Sequence, residues 1–105
     1  MTSWLDAALR GTADDDATAL TRYMVAAAAE DAVVGRRLDE HNHASQALAQ
    51  RLVRARERGE IAPDADVPAI VEAITGAILL RVLRRAPYTS DAAATLARTI
   101  LPTTR

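Results

Sequence analysis

The chain has 105 residues, about one small domain's worth, which excludes a two-domain enzyme and leaves room for a single core. Of its apolar half, 24 residues are Ala against 23 Leu, Ile and Val combined, Phe is missing, and the aromatics are Trp4, Tyr23 and Tyr88. All 13 basic residues are Arg, 14 carboxylates oppose them, and the net charge of −1 gives no global attraction to nucleic acid or to an acidic membrane. Zero Cys excludes disulfides and thiolate chemistry, and the lack of a basic segment followed by an apolar run makes the cytoplasm the expected compartment.

Abundant Ala with four Gly and four Pro predicts helices joined by short turns, and no run alternates as a half-buried strand would. The expected fold is all-α, a small antiparallel bundle of about five helices forming one domain. Ser3 and Asp6 resemble a capping box, and Gly11 stands where a helix over residues 3–10 would need a left-handed terminator. Asp14, Asp15 and Asp16 place negative charge at the start of a second helix over 16–30, with Leu20, Tyr23, Met24 and Ala27 on one face.

A third and longest helix is predicted over 31–58, capped by Asp31 and ended by Gly59. Its inward stripe reads Val34, Leu38, His41, Ser45, Leu48, Leu52 and Ala55, in steps of three and four. Arg36 with Glu40, and Asp39 with His43, fall four apart on other faces and read as solvating pairs. After a Pro-Asp turn at residues 63–64, Asp66 caps a fourth helix over 67–85. Between Ile70 and Leu83 its polar residues are Glu72, Thr75 and Arg81, so it is apolar nearly all round and must be covered on two sides, yet it is too short and too polar to span a membrane. Ala86-Pro87 breaks it, and a last helix over 90–101 buries Ala92, Ala93, Leu96, Ala97, Ile100 and Leu101 before Pro102.

No catalytic constellation emerges. His41 and His43 lie two apart and point away from each other on a helix, with no further His or Cys to complete a metal shell, so no metal or cofactor is expected. No strained serine turn or Gly-rich phosphate loop is present. Arg51, Arg54, Arg56 and Arg58 spread over more than one face near a helix C-terminus, where positive charge is favourable, and no basic recognition helix can be placed, so direct nucleic-acid binding by this chain is not expected.

Two features suggest binding. His41 and Ser45 interrupt an apolar stripe, either as hydrogen-bonded core residues or as polar groups in a ligand cavity, with Tyr23 and Met24 as the facing wall. Ala69, Ala73 and Ala77 recur every four residues beside Gly76, a ridge that lets another helix approach closely. With so thin a core, a symmetric homodimer through Ala69, Ala73, Ile74, Ala77, Ile78, Arg81, Leu96 and Ile100 is the expected remedy.

The run from Arg54 through Arg58-Gly59-Glu60-Ile61-Ala62-Pro63-Asp64 to Asp66, the apolar helix through Gly76 to Leu83, and a terminal helix ending Ile100-Leu101-Pro102 resemble the C-terminal domain of TetR-family transcriptional regulators. The segment from Tyr23 to Leu38 resembles the helix pair that precedes these. The resemblance implies that the last two helices pair with those of a second subunit and that earlier helices enclose a small, apolar effector. Family members also carry an N-terminal helix-turn-helix that these residues do not supply, and the first sensor helix is short. The readings carried forward are therefore a fragment or misassigned start, an isolated domain, or a stand-alone domain that sequesters partners. A helical interaction module without a ligand is the alternative function.

Overall fold

A computed structural model describes residues 2–40 and 42–103. Among these residues six helices and no strands are present: α1 (Thr2–Thr12), α2 (Asp15–Glu30), α3 (Ala32–Glu40), α4 (His43–Glu57), α5 (Val67–Arg84) and α6 (Ala92–Ile100). The expected all-α bundle is what forms. No helix among them is long and apolar enough to cross a membrane.

Two boundaries differ from expectation for local reasons. Gly11 lies inside α1, which ends when the Thr12 hydroxyl donates to the Leu9 carbonyl at 2.8 Å; the left-handed residues are instead Gly59 and Arg85. The predicted helix over 31–58 is two helices. Asn42 takes a non-helical backbone conformation and its side-chain oxygen accepts the Ser45 amide at 3.1 Å, so a local N-cap interrupts a stripe whose spacing is continuous.

The core is made where α1, α4, α5 and α6 converge. Leu5, Leu9, Leu48, Leu52 and Ile74 are fully buried there, joined by Ala92 and Ala93. The stripe predicted for α4 supplies Leu48, Leu52 and Ala55. Ile61 and Ala65, in the segment between α4 and α5, are also buried, so this loop is part of the core as well as a turn. Helix α5 is the hub, packing on α1, α2, α4 and α6, whereas α3 packs on α2 alone. The Cα envelope measures 42 × 31 × 16 Å. With helix axes 8–10 Å apart in a packed pair and Cα atoms about 2.3 Å from each axis, a slab of this depth holds two helix layers and no third, so α5 cannot be covered on both sides within it.

Three ties fix the connections. At the end of α4 the Gly59 amide donates to Arg56 O and the Glu60 amide to Ala55 O, a Schellman motif with Gly59 at φ 76°, and Arg56 donates to Ala65 O to hold the loop that follows. The same motif ends α5, but Arg85 occupies the left-handed position at φ 51° and its Nε donates to Asp15 Oδ1 at the start of α2, at 3.0 Å. In the α5–α6 loop, the Tyr88 hydroxyl donates to Asp6 Oδ1 at 2.7 Å, Arg10 donates to Asp6 Oδ2 at 2.9 Å, and the Arg10 guanidinium sits 4.4 Å from the Tyr88 ring centre. Asp6, which the sequence suggests as half of a capping box, thus latches α1 to this loop.

The hydrogen bond from Tyr88, and then that from Arg10, hold the Asp6 carboxyl below its ordinary range. A carboxylate whose pKa is depressed by folding stabilises the fold above the unfolded pKa of about 4, and that contribution is lost as pH falls below it. Asp6→Asn is therefore expected to melt below the wild type at pH 7, with the gap closing toward pH 3; a gap independent of pH would show that charge plays no part in the latch. At Arg85, replacement by Gly removes a left-handed strain of about 1 kcal/mol and an exposed ion pair worth no more than about that. Chemical denaturation of Arg85→Gly should accordingly give a stability within about 1 kcal/mol of wild type, whereas Arg85→Ala, which loses the pair and keeps the strain, should be less stable than Arg85→Gly.

Candidate functional site

Helix α2 carries Thr18, Val25 and Ala28 on its packed side, and α3 folds back on it where Gly35 faces Ala28, 3.6 Å from a Cβ at Gly35 to the Ala28 carbonyl. Because α3 touches no other helix, the pair stands beside α4 and α5 rather than closing down on them. Two adjoining clefts result. The first, about 600 Å³, lies between Thr21 and Val25 of α2, Leu38 of α3, the first turn of α4, and Ile78 and Val82 of α5. The second, about 590 Å³, lies between Ser45, Gln46 and Ala49 of α4 and Pro68, Val71 and Glu72 of α5. Asp39, Asn42, Thr75 and Leu79 line both, and so mark their junction. There the hydroxyls of Ser45 and Thr75 share a hydrogen bond of 3.3 Å that ties α4 to α5. Volumes of this size, with apolar walls and a few convergent polar groups, suit a small organic molecule.

The four residues predicted to bind a ligand do not gather as expected. Ser45 lines the second cleft, while His41 falls outside the described residues. Tyr23 is 71% exposed on the outer side of α2, Met24 is half-buried, and neither lines a cleft. The physical reason is the small-residue contact between α2 and α3: Ala28 and Gly35 pack closely, which turns Leu20 and Tyr23 to solvent. Asp39, Asn42, Thr75 and Leu79 were not among the expected site residues. An Asn three residues before Ser45 is an N-cap signal that could have revealed the break, and with it the position of Asp39 at the junction rather than beside His43 on one helix.

A second surface runs along α5. Ala69, Ala73 and Gly76 are exposed, and the stripe continues through Leu80 and Leu83, which are 54% and 45% exposed. Nothing lies within 4 Å of a Cβ built on Gly76, which also lines the second cleft and so stands at the border between cleft and stripe. A groove of about 590 Å³ follows Ala69 and Ala73 against Thr99, Ile100 and Pro102 at the end of α6. Ala77, Arg81, Leu96 and Ile100 are half-buried beside or beneath this face. Two residues expected on it sit elsewhere. Ile74, 1% exposed, belongs to the chain's own core, and Ile78 lines the first cleft. They lie roughly 140–180° around the helix from Ala69 and Gly76, so one helix face cannot hold them all.

A family model described as "Tetracyclin repressor-like, C-terminal domain" matches residues 1–100. No curated protein and no solved structure matches the chain.

If the Asn42 cap sets the break between α3 and α4, Asn42→Ala should cost about 1 kcal/mol in denaturant unfolding, and Asn42→Asp, which keeps a capping oxygen, should retain most of the stability. Equal stability of all three proteins would show that the break is imposed by packing alone.

Proposed function

Because the chain belongs to the tetracyclin repressor-like C-terminal domain family, we propose that it senses a small-molecule effector and dimerises within a TetR-like transcriptional regulator. The observation that carries this reading is the double use of α5. Its Thr75, Ile78, Leu79 and Val82 line the clefts, and its Ala69, Ala73, Leu80 and Leu83 form an uncovered stripe on another face. A ligand that prefers one placement of α2 and α3 against α5 biases that helix, and a partner seated on the stripe receives the bias. In thermodynamic terms this is a population shift shared between two sites of one rigid element. The reading assigns the chain a regulatory role, without catalysis and without nucleic-acid contacts of its own.

The dimer reading rests on area and shape. Small residues allow a second helix to lie close, and Leu80 and Leu83 provide the apolar bulk that an interface core needs. Two copies related by a two-fold axis would set α5 and α6 of each chain together as four helices. A second reading, a helical interaction module without a ligand, draws support from one observation: Leu20, Tyr23 and Val33 leave the α2–α3 pair 70%, 71% and 49% exposed at these positions.

Ala73 and Leu80 are exposed in the single chain, so charge placed there should not disturb its own core. In sedimentation equilibrium the wild type is expected as a dimer, and Ala73→Arg and Leu80→Arg as monomers of unchanged helical circular dichroism. A dimer that survives both substitutions removes this surface from the interface.

A further inference from the structure

Resting on the reading of the two clefts as one ligand site, we propose that the site selects a lipophilic cation, an organic molecule with a single positive charge on an apolar body. The walls give the apolar part: Val25, Leu38, Ile78 and Val82 line the first cleft and Val71 the second, with Leu79 between. The charged groups on the walls are carboxylates. Asp39 stands at the junction of both clefts, and Glu72 lines the second, one turn before Thr75 on α5.

Arg is the chain's sole permanently charged basic residue type and occurs 13 times, yet no Arg lines either cleft. Among the described residues neither Asp39 nor Glu72 takes part in an ion pair, so their charge is available to a ligand. Among the described residues the basic side chain that lines a cleft is the exposed His43 imidazole, in the first. An anion of the same shape would meet like charge beside apolar walls, and a neutral molecule would lack the charge attraction of Asp39.

The aromatic residues lie elsewhere. Tyr23 faces solvent, Tyr88 is bound to Asp6, and Trp4 packs on the core from α1. A cation in the clefts therefore finds no ring face to attract it, and the carboxylates carry the charge recognition alone. Neutralising them should then abolish the preference for positive charge while leaving apolar binding in place.

The test uses three probes of different charge: tetraphenylphosphonium and tetraphenylborate, which match in size and shape, and neutral triphenylphosphine oxide, which is smaller by one phenyl ring. Each is titrated into isotope-labelled full chain, and affinity is read from the amide shifts of Ala44, Thr75 and Leu79. Tetraphenylphosphonium is expected to bind about tenfold more tightly than the oxide, as one partly solvated charge pair provides. Asp39→Asn should bring its affinity to within about twofold of the oxide's without changing the oxide's own, and Glu72→Gln should have the same effect to a smaller extent. Asp39 is exposed, so the variant is expected to melt as the wild type does.

If the oxide or the borate binds at these amides as tightly as the cation, or if Asp39→Asn binds the cation as tightly as wild type, charge selection fails while the clefts stand as a pocket. Shifts confined to Asp14, Asp15 and Asp16 at the start of α2 would mark attraction to surface charge and overturn the proposal. Should no probe move the cleft amides, the pocket reading falls and the selectivity falls with it.

Discussion

The 18 residues of α5 are apolar over nearly the whole circumference, and a slab 16 Å deep, two helix layers, has no third layer to cover their other side. One side of the helix is covered well: Val67, Ile70, Ile74 and Val82 are buried against the other helices. The opposite side keeps small residues toward solvent, with Leu80 and Leu83 farther along. Burial of a Leu side chain stabilises by roughly 2 kcal/mol, so two half-exposed Leu on one stripe represent a driving force that the single chain leaves unused. Ala and Gly at the same face keep the exposed apolar area small and would keep the approach distance short in a helix pair.

The connections on either side of α5 are anchored by short-range polar ties as well as by buried apolar side chains. The loop before it is tucked under by Ile61 and Ala65 and fastened to the chain end, where the Ala62 amide donates to Pro102 O at 3.1 Å. The loop after it is held to α1 through Tyr88, Asp6 and Arg10, and its C-terminal Arg85 reaches α2. An Ala-rich chain with little bulk to bury gains its definition from these ties, since each fixes a connection whose side chains are otherwise solvated.

Much of the fold was legible in the sequence because the signals were backbone chemistry. Asp66 caps α5 and Gly59 closes α4, as a carboxylate before a helix and a Gly after one require. The Leu48, Leu52 and Ala55 face of α4 followed from spacing alone. The break at Asn42 did not, since the Val34-to-Ala55 stripe keeps helical spacing across it and the competing local cap leaves no gap in that pattern. The cleft was legible in part. Ser45 announced itself as a polar residue in an apolar stripe, but Tyr23 and Met24 were placed on the wall by residue type, and the Ala28–Gly35 contact turned Tyr23 away. On α5 the Ala ridge was readable, whereas which of its neighbours went to the core depended on where α1 and α6 landed, and that is a tertiary fact.

Helix α3 contributes no buried residue and rests on α2 alone. Cooperative unfolding is a property of elements that share a core, so α3 is coupled to the global transition only through its neighbour, and its opening free energy belongs at the low end of the molecule's range. Its amides should exchange with solvent well before those of α4 and α5. Leu38 and Asp39, which form part of the cleft, ride on this least stable piece. A molecule bound in the cleft would therefore order this wall, and under the proposed function that gain in order would itself be the signal α2 hands on to α5.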